Sequence, residues 1–404
     1  MKLLKGKYLL VLIAVCGMSA ASLGMLTNVS GLFFDPIAAD FGIGRGTVSL
    51  TLTICNLALA LGGMLAPRLV TEKRFKLVLF LGTALTVGLT AVMALASNIW
   101  VLYICNAVRG LAAGTFGLVL VTMVINNWFH ANAGLATSIA MSCSGLAGAA
   151  LSPVLSAVIQ AAGWRTGYLA AAGIMLALNL PALLCPIAFR PEAVGLLPLT
   201  DGKTSKAAPS LAKKTRPIVP VLFVLTLGYG VIASIPSAFP PHFPGLAGSY
   251  TLTAAVGSGM LSAAMVANSA GKILYGLLSD RFGGMRTTLL YIFAVMAATI
   301  GLLALRASSV LIGCAGVFGL CYTLSTVTAV ILTKDMFGLE NYSRVYPKVT
   351  LSITVFNAIC STLFGYMYDA TGSYTVPLIA VLATLFAALA IIVSAYSVRK
   401  RVRA

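Results

Sequence analysis

Carboxylates are scarce in this chain. Its 404 residues hold nine aspartates and glutamates and two histidines. All nine acids, Asp35, Asp40, Glu72, Glu192, Asp201, Asp280, Asp335, Glu340 and Asp369, fall in loops or at the ends of apolar runs. With acids, bases and metal ligands this few and unclustered, neither a catalytic constellation nor a metal site can be assembled from the pattern, and no cofactor is implied. The interior of the apolar runs also has no anion with which to hold sodium or an organic cation. The eight cysteines, Cys16, Cys55, Cys105, Cys143, Cys185, Cys314, Cys321 and Cys360, are scattered singly, so they read as small packing residues and not as a disulfide framework.

What is abundant is apolar surface. The chain is 59% hydrophobic and 9% charged, with a mean hydropathy of +1.00, a composition that belongs in a bilayer. Apolar stretches of about twenty residues recur along its whole length, whereas barrel strands would alternate in short segments. The sequence therefore predicts an all-α membrane protein with twelve transmembrane helices, at roughly 8–34, 47–66, 76–97, 99–125, 134–161, 166–189, 218–243, 252–278, 287–305, 310–333, 349–368 and 375–397. The first run follows MKLLKGKY and resembles a signal peptide, but it continues apolar to Phe34 and reads as an uncleaved helix.

The net charge of +18 invites a nucleic-acid reading, which the distribution excludes. Of the 27 lysines and arginines, only Arg45, Arg165 and Arg306 fall in one set of loops, and Arg109, Lys272 and Lys348 lie in or beside spans. The rest fill the alternate loops and the tails. That bias predicts a multi-pass protein of the cell membrane with both termini cytoplasmic, attracted to anionic headgroups as a by-product. The polar stretch 190–216, rich in proline, serine and lysine, reads as a flexible cytoplasmic linker between six-helix bundles at 1–189 and 217–404. A monomer is expected.

The stretch Gly271 to Arg286, GKILYGLLSDRFGGMR, carries the most information. Lys272 sits about two turns inside the end marked by Asp280, at hydrocarbon depth. A mid-membrane lysine costs roughly 3 kcal/mol, so it is a candidate functional cation, with a snorkelling lysine as the plain alternative. The turn that follows, Gly276, Asp280, Arg281, Gly283 and Arg286, resembles the signature loop of the major facilitator superfamily, G-x-x-x-D-R-x-G. The resemblance implies two pseudo-symmetric six-helix bundles and a latch that breaks as they rock. A degenerate copy, GGMLAPRLVTEKRFK, follows the second span, with Arg68, Glu72, Lys73 and Arg74 in the corresponding places.

Further stretches are similar to the superfamily's carboxylate transporters, the oxalate:formate antiporter and monocarboxylate transporter group. They are RGLAAGTFG (Arg109 to Gly117), NNWFHANAGLATSIAMSCSGLAGAALSPV (Asn126 to Val154), GWR (Gly163 to Arg165), RPEAVGLLP (Arg190 to Pro198) and GYMYDATGSY (Gly365 to Tyr374). In that group a helix-eight arginine binds the substrate, and GKILYGLLSDR matches its context with Lys272 in the arginine's place. Lysine keeps the charge but loses the planar fork that grips a carboxylate through two bonds. Asn268, one turn earlier, stands where proton-linked monocarboxylate transporters carry an aspartate, which shifts weight toward exchange or uniport.

Unpaired cations in the membrane favour an anionic substrate, with Lys272 holding it and Arg109 as second charge or as a structural arginine. Lys348 would match the antiporter's second cation only with a shift toward Ser352, and reads as a surface lysine. Asn28, Tyr229, Tyr322 and Asn357 are further cavity candidates, each with the alternative of bonding helix to helix. His242, after Pro240 and Pro241, reads as interfacial, and His130 lies in a loop. The expectation is a secondary transporter of a small organic anion, a monocarboxylate first, working as antiporter or symporter with protons as possible partner. The rival is a proton-coupled drug or metabolite exporter of the same fold, suggested by the glycine and proline pattern of helix five.

Overall fold

The computed structural model describes residues 6–130, 133–185, 188–199 and 219–403. Residues 200–218, most of the expected linker, lie outside the described residues, as do Ala131 and Asn132 of the tryptophan–phenylalanine stretch.

Each long apolar run folds as a helix because, in hydrocarbon, its amides must bond within their own segment. The spanning helices are α1 (Gly6–Phe41), α2 (Arg45–Leu69), α3 (Phe75–Leu95) and α4 (Ile99–Trp128), then a continuous run Ala133–Leu184. Gly163, at φ 81° and ψ 167°, divides that run into α5 (133–162) and α6 (164–184). After these come α7 (Pro220–Ser249), α8 (Ala254–Phe282), α9 (Gly284–Ala304), α10 (Ser308–Gly338), α11 (Arg344–Thr371) and α12 (Thr375–Arg401). Twelve helices result, and no strand occurs among the described residues.

The starts and stops follow local chemistry. Asn98 caps α4 by accepting from the Val101 amide at 3.2 Å, and α7 begins on Pro220, whose missing N–H costs nothing in a first turn. Several helices are irregular, among them α7, broken by a 3₁₀ turn at Pro240–His242. Helix α1 carries a π-helical stretch, Ala20–Asn28. Helix α4 is interrupted at Gly117, and α10 at Gly319 and Leu320 and again at Thr326 (φ −109°, ψ −72°). Such breaks free backbone groups and tend to mark functional segments.

The chain forms two compact units: Met1–Ile43 with Leu50–Ala208, and Gly44–Ser49 with Pro209–Ala404. In the first unit, small residues bring helices together, as bilayers require where lipid is as apolar as leucine. A Cβ on Gly110 or Gly114 of α4 would collide with the α2 carbonyls of Cys55 or Leu59. In the second unit, Gly319 of α10 lies against the Ala264 backbone of α8 in the same manner. An aromatic cluster of Phe239, Phe243, Phe318, Phe364 and Tyr374 is buried there, with Phe239 5.4 Å from Phe364 edge to face.

The expected flexible linker needs a correction at its start. Pro191–Val194 forms a 3₁₀ turn, the Trp128 indole donates to the Ala188 carbonyl at 2.9 Å, and the Leu199 amide donates to the Trp128 carbonyl at 2.8 Å. Tyr8 donates to the Leu197 carbonyl at 2.7 Å. All three bonds end on backbone carbonyls, which leave no apolar period in the sequence.

In the second unit, Asp369 at the end of α11 accepts from the amides of Arg45 (2.8 Å) and Gly46 (2.7 Å). The first turn of α2 is thereby capped by a carboxylate from a distant helix, an arrangement favoured by the positive helix N-terminus. Arg45 itself donates to the Tyr374 hydroxyl at 3.0 Å and lies 4.2 Å over the Tyr368 ring.

Candidate functional site

Helix α8 is fixed by its neighbours on one side. The Tyr291 hydroxyl of α9 donates to the Gly271 carbonyl at 2.8 Å, and Tyr275 shares a 2.7 Å hydrogen bond with Thr288. Gly271 also packs on Leu320 and Thr323 of the interrupted part of α10. A step of one residue turns a helix by about 100°, so Lys272 leaves that packed side and is half-buried. Its ammonium has no hydrogen bond or ion pair among the described residues.

One turn earlier, Asn268 is buried, and its Oδ1 has no hydrogen-bond partner. A buried acceptor without a donor is costly and asks for an explanation. Tyr322, in the short helical piece Cys321–Ser325 between the two breaks of α10, is half-buried with no partner for its hydroxyl among the described residues. The backbone there is satisfied locally, since Thr326 Oγ1 donates to the Tyr322 carbonyl at 2.6 Å. Gly271 thus brings α8 against the interrupted part of α10, and among the described residues Lys272 and Asn268 of the one segment and Tyr322 of the other each carry a group without a partner.

Arg109, in the first unit, is placed differently. It is 5% exposed. Its Nε and Nη2 donate to Asn106 Oδ1 at 3.0 and 2.7 Å, and Nη1 donates to Thr90 Oγ1 at 3.2 Å. Asn106 is anchored through Nδ2 to the Leu102 carbonyl (2.8 Å), and Thr90 through its hydroxyl to the Thr86 carbonyl (2.7 Å). The oxygens that hold the guanidinium are neutral, and the Cys55 thiol lies beside it. Asn106 and Thr90 were not among the expected site residues, although Asn106 stands three residues before Arg109, a spacing at which helical side chains meet.

The remaining candidates tie helices together. Asn28 donates to the Ser144 carbonyl at 3.1 Å, bonding the end of the π-helical stretch to α5. Tyr229 of α7 is fully buried and donates to the Leu324 carbonyl at 3.2 Å. Asn357 of α11 donates to the Ser234 carbonyl (3.1 Å) and Ser237 Oγ (2.9 Å). Lys348 is exposed, 5.6 Å from the Phe223 ring centre. His242, read as interfacial, is instead 1% exposed, within hydrogen-bond distance (2.8 Å) of the Ser361 carbonyl through Nε2. The proline-rich corner after Pro236 folds it under the aromatic cluster.

At the end of α8, Asp280, Arg281 and Arg286 are exposed, Gly276 is half-buried, and Gly283 turns the chain at φ 85°. The loop borders a concavity of about 550 Å³ that also includes Asp335, Tyr396 and Arg399. There Asp335 accepts from the Tyr396 hydroxyl at 2.6 Å and lies 4.0 Å from Arg399 Nη1.

Twelve apolar helices in two units, with a D-R-x-G turn after the eighth, define a polytopic transporter of the two-bundle type. Residues 15–257 match the Major Facilitator Superfamily, and the chain belongs to that family. Among solved structures it is similar to a bacterial homologue of the human lysosomal transporter Spinster. The inward-facing, occupied form has a TM-score of 0.68 and the inward-facing, unoccupied form 0.69. Both are 14% identical, and each match covers 98% of this chain and 97% of the other. No curated protein matches the chain. The family and the fold make this a multi-pass membrane protein engaged in secondary transport.

Proposed function

We propose that this transporter moves a small organic anion, a monocarboxylate, across the cell membrane by alternating access. The observation that carries the reading is the Lys272 ammonium, left on an apolar helix without an ionic or hydrogen-bonding partner among the described residues. A cation retained at membrane depth is costly unless something pairs with it, and a carboxylate would supply a charge-assisted hydrogen bond. Lys272 is then the group that holds the substrate.

Asn268 Oδ1 and the Tyr322 hydroxyl complete the binding groups in this reading. An acceptor without a donor suits a hydroxyl on the substrate, which favours a 2-hydroxy acid over its keto or unsubstituted counterparts. Arg109 contributes its charge with three of its five N–H donors already engaged by Asn106 and Thr90. Asn28, Tyr229 and Asn357 act as helix ties. Gly276, Asp280, Arg281, Gly283 and Arg286 form the latch, and both termini are cytoplasmic. Asparagine at 268, where proton-linked relatives have a carboxylate, favours exchange or uniport over proton symport.

The exporter reading retains one point in its favour, Pro153 within the glycine-rich α5. Uptake of radiolabelled lactate, pyruvate, formate and oxalate into proteoliposomes, with and without internal anion, separates the two. Uptake of one acid that Lys272→Gln lowers about 10- to 100-fold, the range for losing one hydrogen bond to a charged group, supports the anion site. Uptake of none, or uptake indifferent to Lys272→Gln, transfers the assignment to the exporter.

A further inference from the structure

The surface of the first unit carries a groove between α3 and α4 of about 540 Å³, within the size range of ligand sites. Its walls are Leu77, Leu81 and Leu85 on one side and Leu111 on the other, with Gly82 in the floor and Arg74 at one end. From Arg74 to Leu85 the helix rises about 16 Å, close to half the ~30 Å hydrocarbon thickness. The groove is thus one leaflet deep. The four leucines are exposed, as lipid-facing residues are, whereas Gly82 is buried against the Phe116 ring. A missing side chain in the floor, flanked by leucines, makes a channel where a helix surface would otherwise be convex.

The end of the groove is basic. Arg74 and Lys73 lie in an exposed turn, with Arg68 and Lys76 on either side and Glu72 as the single carboxylate. The Arg74 guanidinium has no ion pair among the described residues. A second concavity, lined by Thr71, Glu72, Lys73 and Arg74, adjoins it. An apolar channel one leaflet long that ends at an unpaired guanidinium complements one kind of molecule.

We infer that this groove binds an anionic phospholipid, with one acyl chain along Leu77, Leu81 and Leu85 and the phosphate at Arg74 and Lys73. Basic side chains at a membrane surface attract anionic headgroups, each adding a modest increment, while the chain supplies apolar contact that a free phosphate lacks. This site is separate from Lys272 and does not depend on what the transporter carries.

Native mass spectrometry of the purified protein tests it, with phosphatidylglycerol, phosphatidylcholine of the same chains, and glycerol phosphate as probes. Phosphatidylglycerol should be retained as a single adduct, about tenfold more than phosphatidylcholine, from two basic groups at the headgroup. Glycerol phosphate should not be retained. The double variant Lys73→Gln/Arg74→Gln should remove the preference, and Leu81→Trp, which fills the channel from an exposed position, should lower retention of both lipids. Equal retention of the two lipids by the unmodified protein, a preference that survives the double variant, or retention indifferent to Leu81→Trp would each overturn the assignment. Retention of glycerol phosphate as strong as that of phosphatidylglycerol would mark a simple anion site and overturn it as well.

Discussion

Arg109 of the first unit and Lys272 of the second each lie within an apolar helix and are treated in opposite ways. Arg109 is enclosed by Asn106 and Thr90, which are themselves anchored to backbone carbonyls, whereas Lys272 has no partner among the described residues. Neutral amide and hydroxyl oxygens satisfy donors without cancelling charge, so Arg109 is held in position while remaining positive. Lys272 is the reverse, its bonds unsatisfied among the described residues. In the proposed reading the first arrangement serves architecture and the second leaves a group for the substrate. The identity of the charge therefore says less about role than the count of its filled hydrogen bonds.

That contrast can be broken by paired substitutions. The largest effect should come from Lys272→Gln, with transport of the cognate acid down about 10- to 100-fold and thermal stability unchanged or higher, because an unpaired cation has been removed. Arg109→Gln should do the opposite to stability, since it leaves buried polar groups of Asn106 and Thr90 without their donor. A loss of about 1–3 kcal/mol is expected, read as a lower unfolding temperature in detergent. If Lys272→Gln destabilised as much as Arg109→Gln, the contrast would be false.

Asn268→Leu should sharpen the second unit's side of it. Removing an unsatisfied buried acceptor is expected to leave the fold intact while weakening uptake of a hydroxy acid more than of an acid without the hydroxyl, a comparison made by competition assay. A smaller loss, about 0.6 kcal/mol by analogy with measured interhelical hydrogen bonds in membranes, is expected for Asn357→Leu, which cuts the tie to Ser234 and Ser237.

The smallest effect concerns pH. Burial raises the phenol of Tyr250 above its ordinary value, with Arg306 opposing the shift. The folded state then keeps the proton over a pH range where the unfolded chain has lost it, so stability falls as pH rises through that range. A Tyr250→Phe variant should lose less stability than the unmodified protein between neutral pH and the alkaline limit, as followed by intrinsic fluorescence melts.

Much of the fold was legible because each helix is written as an uninterrupted apolar run, and the D-R-x-G turn identified the superfamily. The narrower carboxylate-transporter resemblance remains a proposal. What escaped reading depends on contacts between distant positions. The cage around Arg109 needs Thr90 from another helix, and the docking of Leu199 on Trp128 uses backbone atoms that have no sequence signature. Neither the π-helical stretch of α1 nor the double break of α10 departs from ordinary apolar composition, so periodicity alone reads both as regular helix. Lys272 could be singled out from sequence because burial of a charge is visible in the run around it; that Tyr229 and Asn357 bond helix to helix could not be chosen from their identity.

The cap on α2 also has a history in time. Asp369 follows Arg45 by 324 positions, and at ribosomal rates of 5–20 residues per second the interval is on the order of tens of seconds. During synthesis the first amides of α2 therefore wait with only water to satisfy them, and their final partner arrives with the eleventh helix. The earliest part of α2 to be made is among the last to be finished.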